Sequence, residues 1–195
     1  MLIALMGGSC VGKDTVLKML YAATGIRICI SNTTRTIREG EQQGKEYNFI
    51  TEKEFLHGLS LDQYVEYRKY KTKEGIWYYG LPKIAVNPKV NQFIIVDQGG
   101  YYTLINKFGK QNVKGIFLQC PEKTKIKRFL EREKEKVKSN RKDFFLEFYR
   151  RMLDDLTAFQ KVELDPDIEK VYGKTSLENF LKVKGMLAKW GVINE

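Results

Sequence analysis

A glycine-containing segment near the start of the chain constrains the fold more than any other feature. Residues 6–15 read MGGSCVGKDT, after the apolar run Leu2–Leu5 and before a helical pattern of apolar residues. This order predicts a strand, a loop and a helix. Four residues separate Gly7 from Gly12, and Lys13 follows at once, which is the spacing of loops whose backbone N–H groups wrap a polyphosphate. The sequence therefore predicts a phosphate-binding loop.

This loop departs from the usual motif at one position. Ser or Thr ordinarily follows the lysine and holds Mg²⁺, whereas this chain has Asp14 and then Thr15. Asp14 either lies near the metal or favours the first turn of the helix electrostatically. The predicted polyphosphate-binding residues are Gly7, Gly8, Ser9, Cys10, Val11, Gly12, Lys13, Asp14 and Thr15.

Composition limits what this loop can belong to. The chain has 195 residues, which suits one α/β domain, and its net charge of +10 predicts an anionic partner. The single histidine and three widely spaced cysteines supply no pattern of metal ligands, so phosphate chemistry is the strong signal. No apolar run approaches the ~20 residues of a membrane span and no signal peptide is recognisable, so we expect a cytoplasmic protein without a membrane partner.

Short apolar runs without alternation predict the buried strands of a parallel sheet. These runs are Leu2–Leu5, Ile26–Ile30, Phe93–Val96 and Ile116–Leu118, with a further strand near Lys170–Tyr172. Helical patterns fall at Lys13–Ala22, Tyr101–Phe108, Glu122–Glu135, Asp143–Gln160 and Ser176–Lys189. The alternation of strands and helices predicts a doubly wound α/β fold, and the turn-rich, aromatic stretch 32–90 predicts a small, mostly β insertion.

Asp97 carries a second chemical signal, because it directly follows the apolar run Phe93–Val96. Enzymes with a phosphate-binding loop place a carboxylate at such a strand end, close to the metal or the acceptor. An aspartate that caps the turn at Gly99 and Gly100 would show the same pattern. Both interpretations stay open at this point.

The segment Ser31–Glu41, which reads SNTTRTIREGE, resembles the guanylate kinases. That family carries S-x-T-T-R-x-x-R-x-G-E at this distance after the glycine loop. Two arginines three residues apart suit a phosphate dianion, because a guanidinium pairs bidentately with phosphate oxygens. The resemblance covers roughly Leu2 to Leu156 and continues at Gly44, Tyr47, Phe49, Phe55, Glu66, Tyr78–Gly80, Arg128 and Arg132.

The resemblance implies roles for individual residues. The acceptor nucleotide's phosphate would be held by Ser31, Arg35, Arg38, Tyr47 and Tyr79, with Glu66 accepting hydrogen bonds from the guanine ring and Asp97 nearby. Arg128, Arg132 and Arg151 would join Lys13 as catalytic residues around a mobile lid. Mg²⁺ would be held near Asp14, Thr15 and Asp97.

The resemblance also implies an overall organisation and a reaction. It predicts a single guanylate kinase-like domain over residues 1–195, with a core of 1–31 and 91–195, a nucleotide-binding insertion of 32–90 and a lid at about 133–141. The implied reaction is ATP-dependent, Mg²⁺-assisted phosphorylation of a nucleoside monophosphate, GMP or dGMP, to the diphosphate. The partners would be these nucleotides, with the protein a monomer or homodimer.

Base recognition departs from the family pattern. Leu81 stands where the family carries Ser or Thr, and Ile95 replaces an aspartate. A kinase for another ribo- or deoxynucleotide is therefore an alternative. A non-catalytic guanylate kinase-like binding module is another, although such modules typically lose the loop lysine that Lys13 retains here. A nucleic-acid-stimulated NTPase fits the +10 charge but not the acceptor-phosphate residues, which argues against a nucleic-acid partner.

Overall fold

The computed structural model describes residues 1–72, 75–132 and 141–194, without the side chains of residues 141–144 and 147. The fold is mixed α/β. The strands are β1 (Leu2–Met6), β2 (Arg27–Ile28), β3 (Asn32–Thr33), β4 (Asn48–Phe49), β5 (Tyr64–Thr72), β6 (Gly75–Pro82), β7 (Gln92–Ile95), β8 (Val113–Gln119) and β9 (Ile168–Tyr172). The α-helices are α1 (Lys13–Thr24), α2 (Glu52–Ser60), α3 (Gln98–Phe108), α4 (Glu122–Arg132), α5 (Arg141–Ala158), α6 (Gln160–Leu164) and α7 (Ser176–Lys189).

Two sheets organise these strands. The five-stranded sheet has the order β2-β7-β1-β8-β9, and the pairs β2–β7 and β8–β9 are parallel. Its strands β1, β7 and β8 are largely buried and mostly apolar, as β1 shows with all five of its residues buried, whereas the edge strands β2 and β9 are partly exposed. The second sheet has the order β4-β3-β6-β5 and contains an antiparallel hairpin of β5 and β6. The predicted parallel α/β fold is confirmed.

The described chain forms two compact units. The first contains Met1–Ile3 and Ile26–Lys114, and the second contains Ala4–Gly25 and Gly115–Glu195. The predicted division into core, insertion and lid therefore stays a prediction. Residues 133–140, which make up nearly all of the predicted lid, lie outside the described residues. In the part of the chain that is described, no helix combines the length and apolar character needed to cross a membrane.

In the first unit, the β5–β6 hairpin has two chemically different faces. Tyr78 of β6 packs with Tyr64 and Phe55 in an apolar cluster, with the Phe55 and Tyr78 rings 5.2 Å apart. The preceding helix α2 begins with a capping box, in which Thr51 and Glu54 exchange hydrogen bonds. Side chains alternate along a strand, so Glu66 and Arg68 lie on the face opposite Tyr67, and Tyr79 lies opposite Tyr78. One face of the hairpin builds the core and the other carries polar groups.

In the second unit, helix α1 begins directly after the glycine loop. Gly12 precedes the helix with φ of 98° and no side chain caps the helix N-terminus. Gly12 adopts this left-handed conformation without strain because glycine has no Cβ. No capping side chain therefore accepts from the first backbone N–H groups of α1. An anion site at this helix N-terminus needs those N–H groups to be available.

Candidate active site

Arg128 of α4 stabilises the glycine loop by donating hydrogen bonds to its carbonyl oxygens. Its Nη1 donates to the carbonyl oxygens of Val11 and Cys10 at 2.8 and 3.2 Å, and its Nη2 donates to Ser176 Oγ at 3.1 Å. A Cβ at Gly12 would lie 2.9 Å from Ser176 Oγ and 3.0 Å from Arg128 Nη1. Any side chain at position 12 would therefore disturb these contacts. Because Arg128 donates to carbonyl oxygens of the loop, this contact stabilises the loop and uses none of its N–H donors.

Lys13 and Asp155 place opposite charges at the same loop. The Lys13 ammonium donates to the carbonyl oxygens of Gly7 and Gly8 at 2.8 and 3.0 Å. Asp155 of α5 accepts a hydrogen bond from the backbone N–H of Ser9, with 2.6 Å between nitrogen and Oδ2. Burial lowers the pKa of Lys13, against the influence of neighbouring carboxylates. Burial raises the pKa of Asp155, against the opposing effects of the Ser9 hydrogen bond and of Lys13.

Arg132 and Arg151, from helices α4 and α5, both lie against one aromatic side chain. Each guanidinium carbon is 5.5 Å from the ring centroid of Phe129, which is fully buried and packs against Phe148 at 5.0 Å. Arg132 also acts electrostatically on Lys13. Cation–π contacts of this kind hold cationic side chains without neutralising them. The second unit therefore gathers four basic residues around the loop and its supporting helices.

In the first unit, the buried Arg35 forms a bidentate ion pair with the partly exposed Glu41. Arg35 Nη1 and Nη2 donate to the two carboxylate oxygens of Glu41 at 3.0 and 2.8 Å, and Arg35 Nη1 also donates to the Thr36 carbonyl. The N–H of Arg38 donates to the same carboxylate at 2.9 Å. Burial alone would raise the pKa of Glu41, but these hydrogen bonds outweigh burial and hold that pKa below its ordinary value. Glu41 thus fixes the conformation of the segment that carries both arginines.

A row of tyrosines extends from Arg35. The Arg35 guanidinium carbon lies 5.6 Å from the ring centroid of Tyr47, whose ring is 5.6 Å from that of Tyr79. Tyr79 is in turn 5.6 Å from Tyr70, edge to face. The Tyr70 hydroxyl donates to Asp97 Oδ2 at 2.6 Å. Hydroxyl and guanidinium donors therefore line one face of this sheet, as the binding of a phosphorylated ligand requires.

At the end of this row, Arg68 lies between two carboxylates. Its Nε and Nη2 lie 3.1 and 3.3 Å from Glu66 Oε2 and Oε1, and its Nη1 lies 3.4 Å from Asp97 Oδ1. Asp97 also accepts from the N–H of Gly100 and so caps helix α3. Burial raises the pKa of Glu66, which Arg68 partly offsets.

The structure distributes the predicted site residues as follows. Ser31, Arg35, Arg38, Tyr47, Glu66, Tyr79 and Asp97 all belong to the first unit, whereas Gly7–Thr15, Arg128, Arg132 and Arg151 belong to the second. Asp97 adopts the helix-capping role that the sequence left as an alternative. Asp14 and Thr15 are exposed on the first turn of α1. The assignment of metal-binding roles to Asp14, Thr15 and Asp97 stays a prediction.

Sequence reasoning missed four residues with clear roles in this geometry: Glu41, Arg68, Tyr70 and Asp155. For Arg68 and Tyr70 the signal was their position two and four residues after Glu66 on a strand, which places all three on one face. Glu41 stood inside the recognised motif but was not given a role. Asp155 follows Arg151 by one helical turn, which places it on the same side of α5.

Comparison with known proteins shows the family of this chain. The family model described as Guanylate kinase matches residues 1–182. The chain belongs to the guanylate kinase family. A solved guanylate kinase from Anaplasma phagocytophilum superimposes with a TM-score of 0.71 over 99% of this chain and 87% of that chain, at 19% identity. At that identity the likeness establishes the guanylate kinase fold alone.

Curated guanylate kinases resemble part of the chain more closely in sequence. The guanylate kinase of Onion yellows phytoplasma is 37% identical over 129 residues, which cover 63% of this chain and 58% of that protein. The guanylate kinase of Fusobacterium nucleatum is 32% identical over 133 residues, covering 66% of this chain and 69% of that protein. The chain thus spans less than two thirds of the phytoplasma guanylate kinase.

Proposed function

We propose that this protein transfers the γ-phosphoryl group of ATP to a nucleoside monophosphate, GMP or dGMP, giving ADP and the nucleoside diphosphate. The observation that carries the proposal is that the chain contains two separate sets of groups whose chemistry suits phosphate. The glycine loop with Lys13 suits the donor's polyphosphate, and Arg35 and Arg38 with their tyrosines suit a monophosphate dianion. A protein that only hydrolysed or bound ATP would not need the second set.

In this reaction an oxygen of the acceptor phosphate attacks the γ-phosphorus while the bond to the β–γ bridging oxygen breaks. The transition state is loose, and negative charge is spread over the transferring group. Lys13 would reach that charge from the loop, and Arg128 would keep the loop's carbonyls turned away from it. The acceptor phosphate is already anionic, so the step needs orientation and charge stabilisation rather than a general base.

The donor groups present fit Mg²⁺ bound mainly through nucleotide. Among the described residues, no group of three or more His, Cys, Asp or Glu side chains could hold a metal ion by itself. Mg²⁺ commonly takes one or two protein oxygens and completes its octahedral coordination with phosphates and water. Asp14 and Thr15 offer such oxygens at the start of α1. When bound with ATP, the metal would neutralise part of the phosphate charge.

The decisive experiment is an ADP-release assay on the full chain with ATP, Mg²⁺ and each ribo- and deoxyribonucleoside monophosphate. We expect ADP to appear only when a monophosphate is present, with a guanine nucleotide among the substrates, and the diphosphate product to appear in equal amount by ³¹P NMR. ADP release that does not depend on any monophosphate would indicate an NTPase. Tight nucleotide binding without turnover would indicate a binding module.

A further inference from the structure

Helix α5 carries apolar side chains on two different faces. Its inner face packs within the second unit, where the Phe148 ring lies 5.0 Å from that of Phe129 and Asp155 reaches the glycine loop. Its outer face carries a second apolar row, which we call the outer stripe: Leu146, Tyr149, Leu153 and Leu156. These four side chains are between 50 and 70% exposed. A surface helix that covers only its own core is polar on its outer side, so the outer stripe requires another explanation.

The outer stripe has the spacing of a helix that pairs with another helix. Its successive members are three, four and three residues apart, which is the a/d alternation of a coiled-coil seam. At 3.6 residues per turn, these steps keep all four side chains within an arc of about 80°. Apolar side chains that are exposed singly are ordinary, whereas a contiguous exposed row marks an interaction surface.

The spacing of the outer stripe is the same in both chain directions. A second α5 that ran antiparallel to the first would therefore present its own stripe in register. Leu146 of one copy would face Leu156 of the other, and Tyr149 would face Leu153. An interface with two-fold symmetry has to be self-complementary in this way. This symmetry favours a second copy of the same chain over a partner of unrelated sequence.

The charges beside the outer stripe are compatible with such pairing. Arg150 and Asp154 lie along one edge of it and form an ion pair within the helix. Because these charges compensate each other, two copies can approach along this edge without the cost of like-charge contacts. The segment between α4 and α5, residues 133–140, reads EKEKVKSN, with Val137 as its one apolar residue. Its composition does not match an apolar stripe, so a second copy is the better occupant.

The size of the outer stripe limits the strength of the dimer. Its four side chains expose roughly 400 Å² per copy, which is within the range of the largest apolar patch on a typical monomer. With the residues around them, two copies would bury roughly 1,000 Å² in total, the lower limit for a specific interface. We therefore expect a dissociation constant of about 1–100 µM.

We propose that the outer stripe is the interface of a weak, two-fold symmetric homodimer in which two α5 helices pack antiparallel. The dimer does not depend on the proposed kinase activity, because Asp155 and Arg151 lie on the inner face of the same helix. The net charge of +10 on each chain opposes association at low ionic strength. Salt screens this repulsion, so the dimer tightens as salt is added.

Sedimentation velocity on the full chain tests for the dimer. The protein concentration should run from about 1 to 100 µM, which spans the expected dissociation constant. We expect the average mass to rise from one chain towards two across this range, and to rise at lower protein concentration in about 0.5 M salt than in about 0.05 M. A protein that stays monomeric throughout, or that grows beyond two chains, would overturn the proposal.

Leu153→Glu tests whether the outer stripe is the interface, because it places two like charges near the two-fold axis. We expect its dimer to be weaker by ~10-fold or more. Leu181→Glu is the matched control, since Leu181 is a 56% exposed leucine on α7, outside the stripe, and this variant should dimerise like the wild type. Circular dichroism checks that both variants fold. Wild-type association of a folded Leu153→Glu protein would exclude the outer stripe as the interface.

The antiparallel arrangement is tested with Leu146→Cys and Leu156→Cys. Under mild oxidation, a mixture of the two single variants should form a disulfide-linked dimer ~10-fold faster than either variant alone, because like positions would lie about 15 Å apart along the helix axis. The wild type, with its native cysteines, gives the background rate. Faster linkage of Leu146→Cys with itself would indicate parallel helices and overturn the proposed arrangement. A mixture that links no faster than the wild type would place the interface elsewhere.

Discussion

Asp155 accepts a hydrogen bond from the Ser9 backbone N–H, with 2.6 Å between Oδ2 and nitrogen, so a carboxylate of α5 occupies a donor of the glycine loop. A Cβ at Gly8 would lie 2.7 Å from the same oxygen, which shows how closely the carboxylate approaches the loop. Carboxylates and phosphates compete for the same kind of N–H donor. In the proposed reaction, ATP would have to displace this carboxylate or bind beside it against electrostatic repulsion.

The first prediction follows from that competition. Asp155→Asn removes the negative charge while keeping a side chain of the same shape, so we expect ATP to bind roughly 5-fold more tightly, the size of about 1 kcal/mol of charge interaction. Titration calorimetry with ATP measures the change. Asp154→Asn is the matched control, because the neighbouring Asp154 pairs with Arg150 and should leave ATP affinity unaltered. Unchanged or weaker binding in Asp155→Asn would show that the carboxylate does not compete with ATP.

The second prediction concerns Lys13, whose ammonium is held by the carbonyl oxygens of Gly7 and Gly8. Because it acts on charge that grows during transfer, Lys13→Ala should lower kcat by ~10²-fold or more. Steady-state ADP release measures the loss, and circular dichroism checks the fold. Lys18→Ala, an exposed position on the same helix, controls for general loss of charge. A folded Lys13→Ala protein with normal turnover would contradict the proposed reaction.

The third prediction separates the two substrates. Arg38→Ala should weaken binding of the acceptor monophosphate by about 2–3 kcal/mol, because a charge-assisted hydrogen bond to phosphate is lost, and should leave ATP affinity nearly unchanged. Arg38 is a better choice than Arg35, because removing Arg35 would also break its bidentate ion pair with Glu41. Separate titrations with GMP and ATP measure both effects. Should ATP affinity fall instead, the donor and acceptor sites are reversed.

The fourth prediction is a pH dependence of stability that comes from Glu41. Its pKa is lowered in the folded protein from an ordinary value of 4.5. Ionised Glu41 therefore stabilises the fold above that value, and the stabilisation is lost as the pH falls through the lowered pKa. Glu41→Gln should lower the free energy of unfolding by about 2–3 kcal/mol near pH 7, since it leaves buried Arg35 unpaired.

Urea unfolding at a series of pH values tests the direction of this pH dependence. The gap between wild type and Glu41→Gln should narrow as the solution becomes more acidic than the lowered pKa. Glu39→Gln, at an exposed position, provides the control and should follow the wild type at every pH. A gap that is constant with pH would mean that Glu41 acts through shape rather than through its charge.

Local sequence patterns predicted the helices and strands well, because apolar periodicity and capping residues themselves favour these structures. Helix α7 spans Ser176–Lys189, as its apolar periodicity predicts, and Thr175 caps it by accepting from the N–H of Glu178. Helix α3 begins at Gln98 rather than the predicted Tyr101, because Asp97 caps it and draws Gly99 and Gly100 into its first turn. Only two residues of the predicted strand Ile26–Ile30 form β2.

The site residues that escaped prediction depend on contacts between distant segments. Asp155 and Ser9 are 146 residues apart in sequence, and nothing local to α5 indicates that its carboxylate reaches the loop. Arg68 lies within the same strand as Glu66, yet it also pairs with Asp97, which follows β7 and is 29 residues away in sequence. Motifs identify which groups bind phosphate. Ion pairs between charged side chains then decide which of those groups remain available to a ligand.

Glu66, Arg68 and Tyr70 occupy alternate positions of one strand, so three of the four polar side chains of this cluster come from residues 66–70, and Asp97 supplies the fourth. The residues proposed to bind the acceptor phosphate, such as Arg35, come from other segments of the chain. If this cluster contacts the acceptor base, exchanging residues 66–70 with those of a relative should change nucleotide preference and leave phosphate binding intact. Deleting one residue from this stretch would turn the side chains that follow it to the opposite face of the strand, so that Tyr67 or Lys69 replaced a polar group of the cluster.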